Sequence, residues 1–210
     1  SELPDTFSGP TAFFQSYRMG TLTFYDDDPI ASIAVKTYPD EGGVQSRSIF
    51  SNGKSDSSIP GDFATTILLA LVPALISEQP ARSFVIGYGT GVTAGELASL
   101  EESREVLVAE ISPAVIEAAP LFDFGNRGAS LNPKLTIVRG DAYRTLLRTP
   151  GQFDLIVSEP SNPWVTGIEM LYSREFLTAA RDRLTPGGVH AQWFHTYEMD
   201  EKTIALVLRT

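Results

Sequence analysis

The sequence predicts an α/β fold, in which helices cover a parallel β-sheet and a small antiparallel β domain precedes that sheet. Three observations predict it. Short β-rich segments separated by turns occupy the first part of the chain, up to Pro60. From Gly61 onward, apolar strand-like runs alternate with helix-length segments, which is typical of a parallel sheet buried on both faces. The chain has 210 residues, of which 42% are hydrophobic and 20% charged, as in ordinary globular proteins.

Residues 1–60 form the predicted N-terminal β domain. Its candidate strands are Thr21–Tyr25, Ile30–Thr37 and Ser46–Phe50, which are separated by Asp-rich and Gly-rich turns. A sheet of this size buries little apolar surface by itself. We therefore expect it to pack against the rest of the chain or against a partner.

Residues 61–210 form the predicted α/β domain. Its predicted strands are Ser83–Ile86, Val106–Ala109, Leu135–Val138, Asp154–Val157 and Val189–Phe194. Its predicted helices are Phe63–Ile76, Val92–Leu100, Pro113–Ala119, Ser173–Leu184 and Asp200–Arg209. Ser173 is placed to cap one helix, and Pro186-Gly187-Gly188 is placed to stop it.

A glycine-rich turn, Gly87-Tyr88-Gly89-Thr90-Gly91, joins the first predicted strand of this domain to a helix. Glycines allow a sharp turn and close approach to a ligand, and the helix N-terminus adds free N–H groups. Glu110 ends the next strand, where a carboxylate can accept hydrogen bonds from ribose hydroxyls. Because Val92 replaces the last glycine of dinucleotide-binding loops, the spacing favours a nucleoside ligand in a Rossmann-like domain. The predicted ligand-binding residues are Gly87, Gly89, Thr90, Gly91 and Glu110, the alternative being a turn kept for packing.

Two further carboxylates follow predicted strands. Asp141 is placed either to accept a hydrogen bond from an adenine amino group or to cap a helix. Glu159 lies where the carboxyl ends of parallel strands form a ligand crevice. A carboxylate there can stabilise a sulfonium or take a proton from an attacking amine, unless it is simply solvated in a rigid connection. Trp164, later in the same loop, is expected to form a wall of the pocket.

Composition excludes several classes of site. The formal net charge of −10 argues against a nucleic-acid partner and is compatible with cationic ligands. The absence of cysteine excludes disulfides and thiolate metal sites. His190 and His195 have no acidic neighbours at ligand spacing, so no metal site is predicted. The longest apolar run, Phe63–Ile76, is too short to span a bilayer.

Together these motifs resemble the spermidine synthase (polyamine aminopropyltransferase) family over Phe24–Thr210. The resemblance is carried by Asn52-Gly53-Lys54, Gly87–Gly91, Glu110-Ile111, Gly140-Asp141-Ala142, Leu171–Phe176 and Leu184–Val189. Ser158–Trp164 is most similar to a bacterial branch whose synthase-like domain is often joined to a membrane region. The family implies transfer of an aminopropyl group from decarboxylated S-adenosylmethionine to an amine, usually by a dimer. It also implies a cytoplasmic location, with membrane attachment where the membrane region is present.

The resemblance also implies roles for single residues. Glu110 would hold the ribose and Asp141 the adenine, and Glu159 stands where the family has its catalytic aspartate. Six positions, in four parts of the chain, depart from the family. Thr90 replaces an aspartate that meets the amine of the cofactor, and Ala31 replaces a glutamine of the polyamine pocket. Thr65-Thr66-Ile67 replaces a Tyr-His-Glu run, and Asn162 replaces a second aspartate. The predicted substrate pocket therefore consists of Thr65, Asn162 and Trp164.

These departures leave two alternatives to the aminopropyltransferase. Thr90 is compatible with a methyltransferase that uses intact S-adenosylmethionine. In this fold two more strands normally follow the last helix, and none follow Thr210 in this sequence. Together with the changed pocket, this is compatible with a non-catalytic module attached to a membrane region. We predict a transferase with S-adenosylmethionine or its decarboxylated form as co-substrate, and no metal. We also expect a homodimer, because an uncovered sheet edge pairs readily with another chain.

Overall fold

A computed structural model describes residues 19–42, 44–160, 167–194 and 200–209, and it confirms the predicted fold class. A four-stranded antiparallel sheet in the order β1-β2-β3-β4 precedes a five-stranded parallel sheet in the order β7-β6-β5-β8-β9. The strands of the small sheet are β1 (Thr21–Asp27), β2 (Ser32–Glu41), β3 (Val44–Ser51) and β4 (Lys54–Ile59). Those of the large sheet are β5 (Arg82–Ile86), β6 (Glu105–Glu110), β7 (Leu135–Arg139), β8 (Phe153–Ser158) and β9 (Leu184–Gln192).

Helices connect and cover the strands of the parallel sheet. They are α1 (Phe63–Ile76), α2 (Val92–Ser99), α3 (Pro113–Ala118), α4 (Ala142–Arg148), α5 (Arg174–Arg183) and α6 (Glu201–Arg209). The predicted cap at Ser173 is present, since its Oγ accepts a hydrogen bond of 3.1 Å from the N–H of Phe176. Apolar strands such as β5 and β8 are buried on both faces, as expected for a covered parallel sheet.

The small sheet has no separate core among its described residues. Its buried side chains, Ile33, Val35, Ile49 and Ile59, belong to the same apolar cluster as residues of β5, β6, β8, α2 and α3. The sheet therefore obtains its burial by packing on the parallel domain, which was one of the two expected outcomes.

A carboxylate in the β1–β2 turn ties the two sheets together. Asp28 Oδ1 accepts hydrogen bonds from the N–H groups of Ile30 and Ala31, at 2.7 and 2.9 Å. Its Oδ2 accepts from the Ser112 hydroxyl and from the N–H of Ala114, which lie at the N-terminus of α3. Ser112 Oγ in turn caps α3 by accepting from the N–H of Val115 at 3.1 Å. The turn thus grips the start of a helix in the other layer.

Three elements differ from the sequence prediction. Helix α4 (Ala142–Arg148) was not among the predicted helices, although Asp141 was placed as a possible helix cap. Strand β4 (Lys54–Ile59) was not predicted, because its polar sequence lacks the apolar alternation that identifies a strand. Strand β9 begins at Leu184, five positions before the predicted start at Val189. Leu184 pairs with Phe153 and Val189 with Leu155, so the Pro-Gly-Gly segment, which was predicted to stop the helix, bulges out between two paired positions of β9. Helix α5 already ends at Arg183.

The sheet order places a switch point at its centre. From β5 the chain moves outward through β6 and β7, and then returns to add β8 and β9 on the other side of β5. Ligands of open α/β sheets bind at such a point, outside the carboxyl ends of the strands. Within the described segments, no helix has the length and hydropathy needed to cross a membrane.

Candidate active site

A cavity of about 860 Å³ lies at the carboxyl ends of the parallel strands, and the small sheet closes one of its sides. This volume is within the range of small-molecule sites, about 300–1,000 Å³. Its walls come from β3, β4, the start of α1, the glycine loop and the segments after β6, β7 and β8. Of the predicted site residues, the cavity brings together Gly87, Gly89, Thr90, Glu110, Asp141, Glu159 and Thr65.

The glycine loop takes a backbone conformation that only glycine adopts without strain. Gly87 and Gly91 have φ values of +83° and +74°. A Cβ on Gly91 would also lie 2.5 Å from Cζ of Tyr88 and 2.8 Å from Nδ2 of Asn126. Gly91 is the N-cap of α2 and does not itself line the cavity. The loop is therefore held tightly, and Gly91 contributes to its shape.

Glu110 is fixed by backbone donors. Its Oε2 accepts a hydrogen bond from the N–H of Tyr88, and its Oε1 accepts from the N–H of Ser112, both at 2.8 Å. Burial raises the pKa of Glu110, and the charge of Asp28 raises it further, while hydrogen bonds from backbone N–H groups oppose this. Each carboxylate oxygen has a second lone pair. The residue is therefore oriented by the protein and still able to accept from a ligand hydroxyl.

Thr90 is directed toward the small sheet. It is buried, and its Oγ1 lies 3.3 Å from Oγ of Ser57 on β4. Its carbonyl accepts a hydrogen bond of 2.9 Å from the Asn126 side chain. This hydroxyl pair joins the glycine loop to the β domain at the cavity wall.

Asp141 is a helix cap, which was one of its two predicted functions, and it also lies at the cavity. Its Oδ1 caps α4 by accepting a hydrogen bond of 2.8 Å from the N–H of Arg144. The residue also lines the cavity. The cap uses one carboxylate oxygen, which leaves Oδ2 for a donor in the cavity.

Glu159 follows β8 and is partly exposed, on the cavity side. Its Oε2 accepts a hydrogen bond of 2.7 Å from the Thr93 hydroxyl on α2. Burial raises the pKa of Glu159 to about 7; the Thr93 hydrogen bond opposes that rise, and the charge of Asp62 adds to it. A carboxyl group with this proton affinity exchanges protons near neutral pH, which suits general acid–base chemistry.

Asp56 is a cavity carboxylate that sequence reasoning missed. Ser57 pairs with Ile49 and Ser55 pairs with Phe50, so Asp56 is the extra residue of a β-bulge. Bulges redirect side chains, and here Asp56 lines the cavity together with its neighbours in β4. Burial raises the pKa of Asp56 to about 6; the charge of Lys54 opposes the rise and that of Glu110 adds to it. An unpaired register position is set by three-dimensional pairing, so no local sequence signal predicts it.

The predicted substrate-pocket residues have different outcomes. Thr65, on the first turn of α1, lines the cavity. Asn162 and Trp164 lie outside the described residues. Trp193 and Asp62, which were not predicted, also line the cavity. Asp62 accepts hydrogen bonds from the backbone and hydroxyl of Ser58, at 2.7 and 2.8 Å, and so braces the turn before α1.

The cavity wall carries an excess of negative charge. Five carboxylates line it in the described part of the chain, against two cationic side chains, Lys54 and Arg144. The described residues contain no group of three or more histidine, aspartate or glutamate side chains placed to hold a metal. His190 packs on Phe176 with ring centroids 6.2 Å apart, and burial lowers its pKa. His190 is half-buried against an aromatic ring, which is typical of a structural side chain.

The spermine/spermidine synthase domain matches residues 62–210, which is more than half of the chain. The chain belongs to this family. The match begins at Asp62 and includes the glycine loop, Glu110, Asp141 and Glu159. The family resemblance inferred from the motifs is thereby confirmed.

Curated relatives agree with this assignment. The chain is 27% identical over 139 residues to a spermidine synthase of Dictyostelium discoideum, which covers 64% of this chain and 49% of the relative. It is 34% identical over 119 residues to a polyamine aminopropyltransferase of Nitrosomonas europaea, which covers 56% of this chain and 36% of the relative. The matched regions thus span half or less of these relatives.

Solved structures show the same fold. A spermidine synthase from Thermotoga maritima superimposes with a TM-score of 0.77 at 22% identity, covering 90% of this chain and 62% of that structure. A spermidine synthase in complex with the transition state analogue AdoDATO superimposes with a TM-score of 0.72 at 23% identity, covering 80% and 56%. These neighbours support the two-part architecture of a small β domain and a Rossmann-like domain.

Proposed function

We propose that this protein transfers an aminopropyl group from decarboxylated S-adenosylmethionine to an amine. The observation that carries the proposal is Glu159, a carboxyl group on the cavity wall with a pKa of about 7, in a chain of the spermine/spermidine synthase family. Both the position of this group after β8 and its proton affinity suit a base that acts on an amine.

The cavity offers a binding group for each part of an adenosyl sulfonium. Glu110, oriented by two backbone N–H groups, would accept from the ribose hydroxyls. Asp141 Oδ2 would accept from the adenine amino group, while Oδ1 remains on the helix cap. Gly87, Gly89, Thr90 and Gly91 would shape the loop beside the ligand, with Gly91 acting through the backbone.

The reaction is a single displacement. The neutral amine nitrogen attacks the methylene carbon next to the sulfonium, and the new N–C bond forms as the C–S bond breaks. Sulfur keeps the bonding electron pair, so the leaving group is neutral methylthioadenosine. The bound ammonium first gives one proton to ionised Glu159, which frees the nitrogen lone pair for the attack, and the product leaves as a secondary ammonium. Much of the acceleration comes from holding the reactants in line.

The acceptor would be cationic in solution. An excess of carboxylates on the cavity wall attracts a protonated amine and positions it before deprotonation. Thr65, together with Asn162 and Trp164, would form the acceptor side of the pocket. An uncharged residue such as Thr65 contacts an alkyl chain without fixing a second ammonium, which favours acceptors recognised mainly at one end.

The test uses the purified chain with decarboxylated S-adenosylmethionine and a panel of diamines and polyamines that includes putrescine. We expect methylthioadenosine and an aminopropylated amine in equal amounts, and neither product without the amine. A parallel reaction with intact S-adenosylmethionine covers the methyltransferase alternative, which Thr90 favours. Formation of S-adenosylhomocysteine there, or calorimetric binding with no turnover of either compound, would reject the proposal.

Three predictions from the sequence concern the whole protein. We propose a homodimer, a cytoplasmic location and, where a membrane region is joined to the domain, membrane attachment. In the described sheet, β9 is an edge strand, and such strands pair readily with another chain. Light scattering at several protein concentrations tests the dimer, and a mass equal to one chain at all of them would reject it.

A further inference from the structure

Thr93 is a buried residue in the first turn of α2 that touches Glu159 without lining the cavity. Its relative exposure is 3%. Its Oγ1 lies 2.7 Å from Oε2 of Glu159 and 3.0 Å from the carbonyl oxygen of Thr66 on α1. One hydroxyl therefore faces two acceptors from two different elements.

A hydroxyl has one proton to donate and two lone pairs with which to accept. When Glu159 is ionised, it can only accept, so the Thr93 proton must point to the carboxylate. When Glu159 is protonated, its own O–H can donate to Thr93 Oγ1, and the Thr93 proton turns to the Thr66 carbonyl. Both protonation states are then hydrogen-bonded without movement of a heavy atom.

The second acceptor makes this rotation inexpensive. Thr66 lies inside α1, where its carbonyl accepts the N–H of the residue four positions on. Loss of the Thr93 hydrogen bond therefore does not leave a buried carbonyl unpaired. A carbonyl without another donor would have held the hydroxyl proton and kept it from the carboxylate.

We propose that Thr93 is a positioning residue for Glu159, whose hydroxyl rotates between Glu159 and the Thr66 carbonyl as Glu159 gains and loses a proton. This inference rests on the proposed role of Glu159 as the base. It assigns to Thr93 two effects: fixing the orientation of the carboxyl group, and keeping the ionised form populated near neutral pH.

Of the groups that act on the pKa of Glu159, Thr93 is the one that favours the ionised carboxylate. Besides burial, the charge that acts on Glu159 is that of Asp62, which opposes ionisation. The hydrogen bond from Thr93 acts in the other direction and lowers the pKa. Replacing Thr93 by valine keeps the shape and removes the hydroxyl, so the pKa of Glu159 must rise.

The test compares the pH dependence of kcat/KM for wild type, Thr93→Val and Thr93→Ser. A hydrogen bond to a charged group is typically worth about one pH unit or more in pKa. We expect the acid limb of the Thr93→Val profile to move to higher pH by about one unit, with a loss of about fivefold at pH 7. Activity should recover toward pH 9, and Thr93→Ser should follow the wild type.

Ser99→Ala is the matched control. Ser99 lies on the same helix and donates to a helical carbonyl, that of Gly95, at 2.8 Å, but it lies outside the cavity. Loss of the Ser99 hydroxyl should lower the stability of the protein without changing the pH dependence of kcat/KM. If Thr93→Val does not fold, Thr93→Ala removes the same hydroxyl with less bulk and gives the same test.

A direct titration separates this inference from the proposed function. Infrared difference spectra, with Glu159→Gln as the reference, follow the carbonyl stretch of protonated Glu159 without any substrate. A higher titration midpoint in Thr93→Val, but not in Thr93→Ser, supports the inference even if no amine is aminopropylated. An unchanged midpoint, or an equal shift in both variants, overturns it.

Discussion

Glu110 ends β6 and Glu159 directly follows β8, the strands on either side of β5, yet the protein holds these two carboxylates in opposite ways. Both oxygens of Glu110 accept from backbone N–H groups, which cannot rotate or be lost by a side-chain motion. The side chain of Glu159 instead accepts a hydrogen bond from a side-chain hydroxyl, that of Thr93.

In the proposed function, this difference separates ligand binding from proton transfer. Backbone donors fix the direction of the Glu110 lone pairs, which is what recognition of a ribose requires. The hydroxyl of Thr93 can rotate, so it can hydrogen-bond both the ionised and the protonated form of Glu159. Burial raises the pKa of Glu159 to about 7. Two residues of similar chemistry thus acquire distinct functions from the kind of donor that each one faces.

The largest expected effect comes from removing the titrating group. Glu159→Gln keeps the shape and loses the base, so we expect kcat to fall by about 10²–10⁴-fold. The affinity for the adenosyl compound should change little, because its binding is assigned to other residues. Steady-state kinetics and calorimetry on the same preparation measure both quantities.

Glu96→Gln is the control for that substitution. Glu96 is also largely buried, on α2, but it pairs with Arg127 at 2.9 Å and lies outside the cavity. Its replacement should leave kcat within about twofold of wild type. Equal losses in the two variants would remove the special role of Glu159.

A smaller effect is expected from Glu110→Gln, and it should appear in binding. The amide N–H₂ would face the N–H of Tyr88 or Ser112, so one buried donor would lose its acceptor. Such a loss costs about 1–3 kcal/mol of stability, and the dissociation constant of the nucleoside should rise at least about tenfold. Urea unfolding and calorimetry measure these changes, with Glu105→Gln at the other end of β6 as the control. A fall in kcat at unchanged affinity would contradict the division between the two residues.

The smallest effect concerns Asp56, whose pKa is raised mainly by burial at the cavity wall and to a lesser degree by the charge of Glu110. Its pKa is raised from 3.8 to about 6 in the folded protein, so the native state binds this proton more tightly than the unfolded chain does. The contribution of Asp56 to stability is therefore greatest at low pH and falls as the pH rises from about 4 to about 6.

Asp56→Asn removes that decline. The variant should melt higher than wild type above pH 6.5, and the difference should shrink toward pH 4. Melting temperatures measured between pH 4 and pH 8 show this, with the exposed helical residue Asp182→Asn as control. A difference in melting temperature that stays constant from pH 4 to pH 8 would show that neither burial nor Glu110 raises the pKa of Asp56.

The sequence predicted the fold where local patterns and packing agree. Helix α1 (Phe63–Ile76) has the predicted bounds, because one long apolar run ends where the chain turns into a polar segment. Strand β4 could not be predicted in this way. Its sequence, Lys-Ser-Asp-Ser-Ser-Ile, has little apolar alternation, because several of its side chains face the cavity instead of the core.

The residues of the candidate site show the same difference between those that a local sequence pattern predicts and those that depend on packing. Glu110 and Glu159 follow apolar strands, and the ends of such strands converge at one edge of a parallel sheet. Asp56, Asp62 and Thr93 come from a bulge, a turn and a helix, and their proximity to the site depends on how separate elements pack. A single sequence contains no local signal for such juxtapositions.

Asp28 connects the small sheet to the start of α3, which lies beside the carboxylate proposed to bind the ribose. Ser112, whose hydroxyl donates to Asp28, also donates its backbone N–H to Glu110. Fraying of the β1–β2 turn would therefore loosen a helix start and the recognition carboxylate at the same time. Sequence changes in this turn should therefore change the nucleoside affinity, and the two sheets should unfold in one cooperative transition.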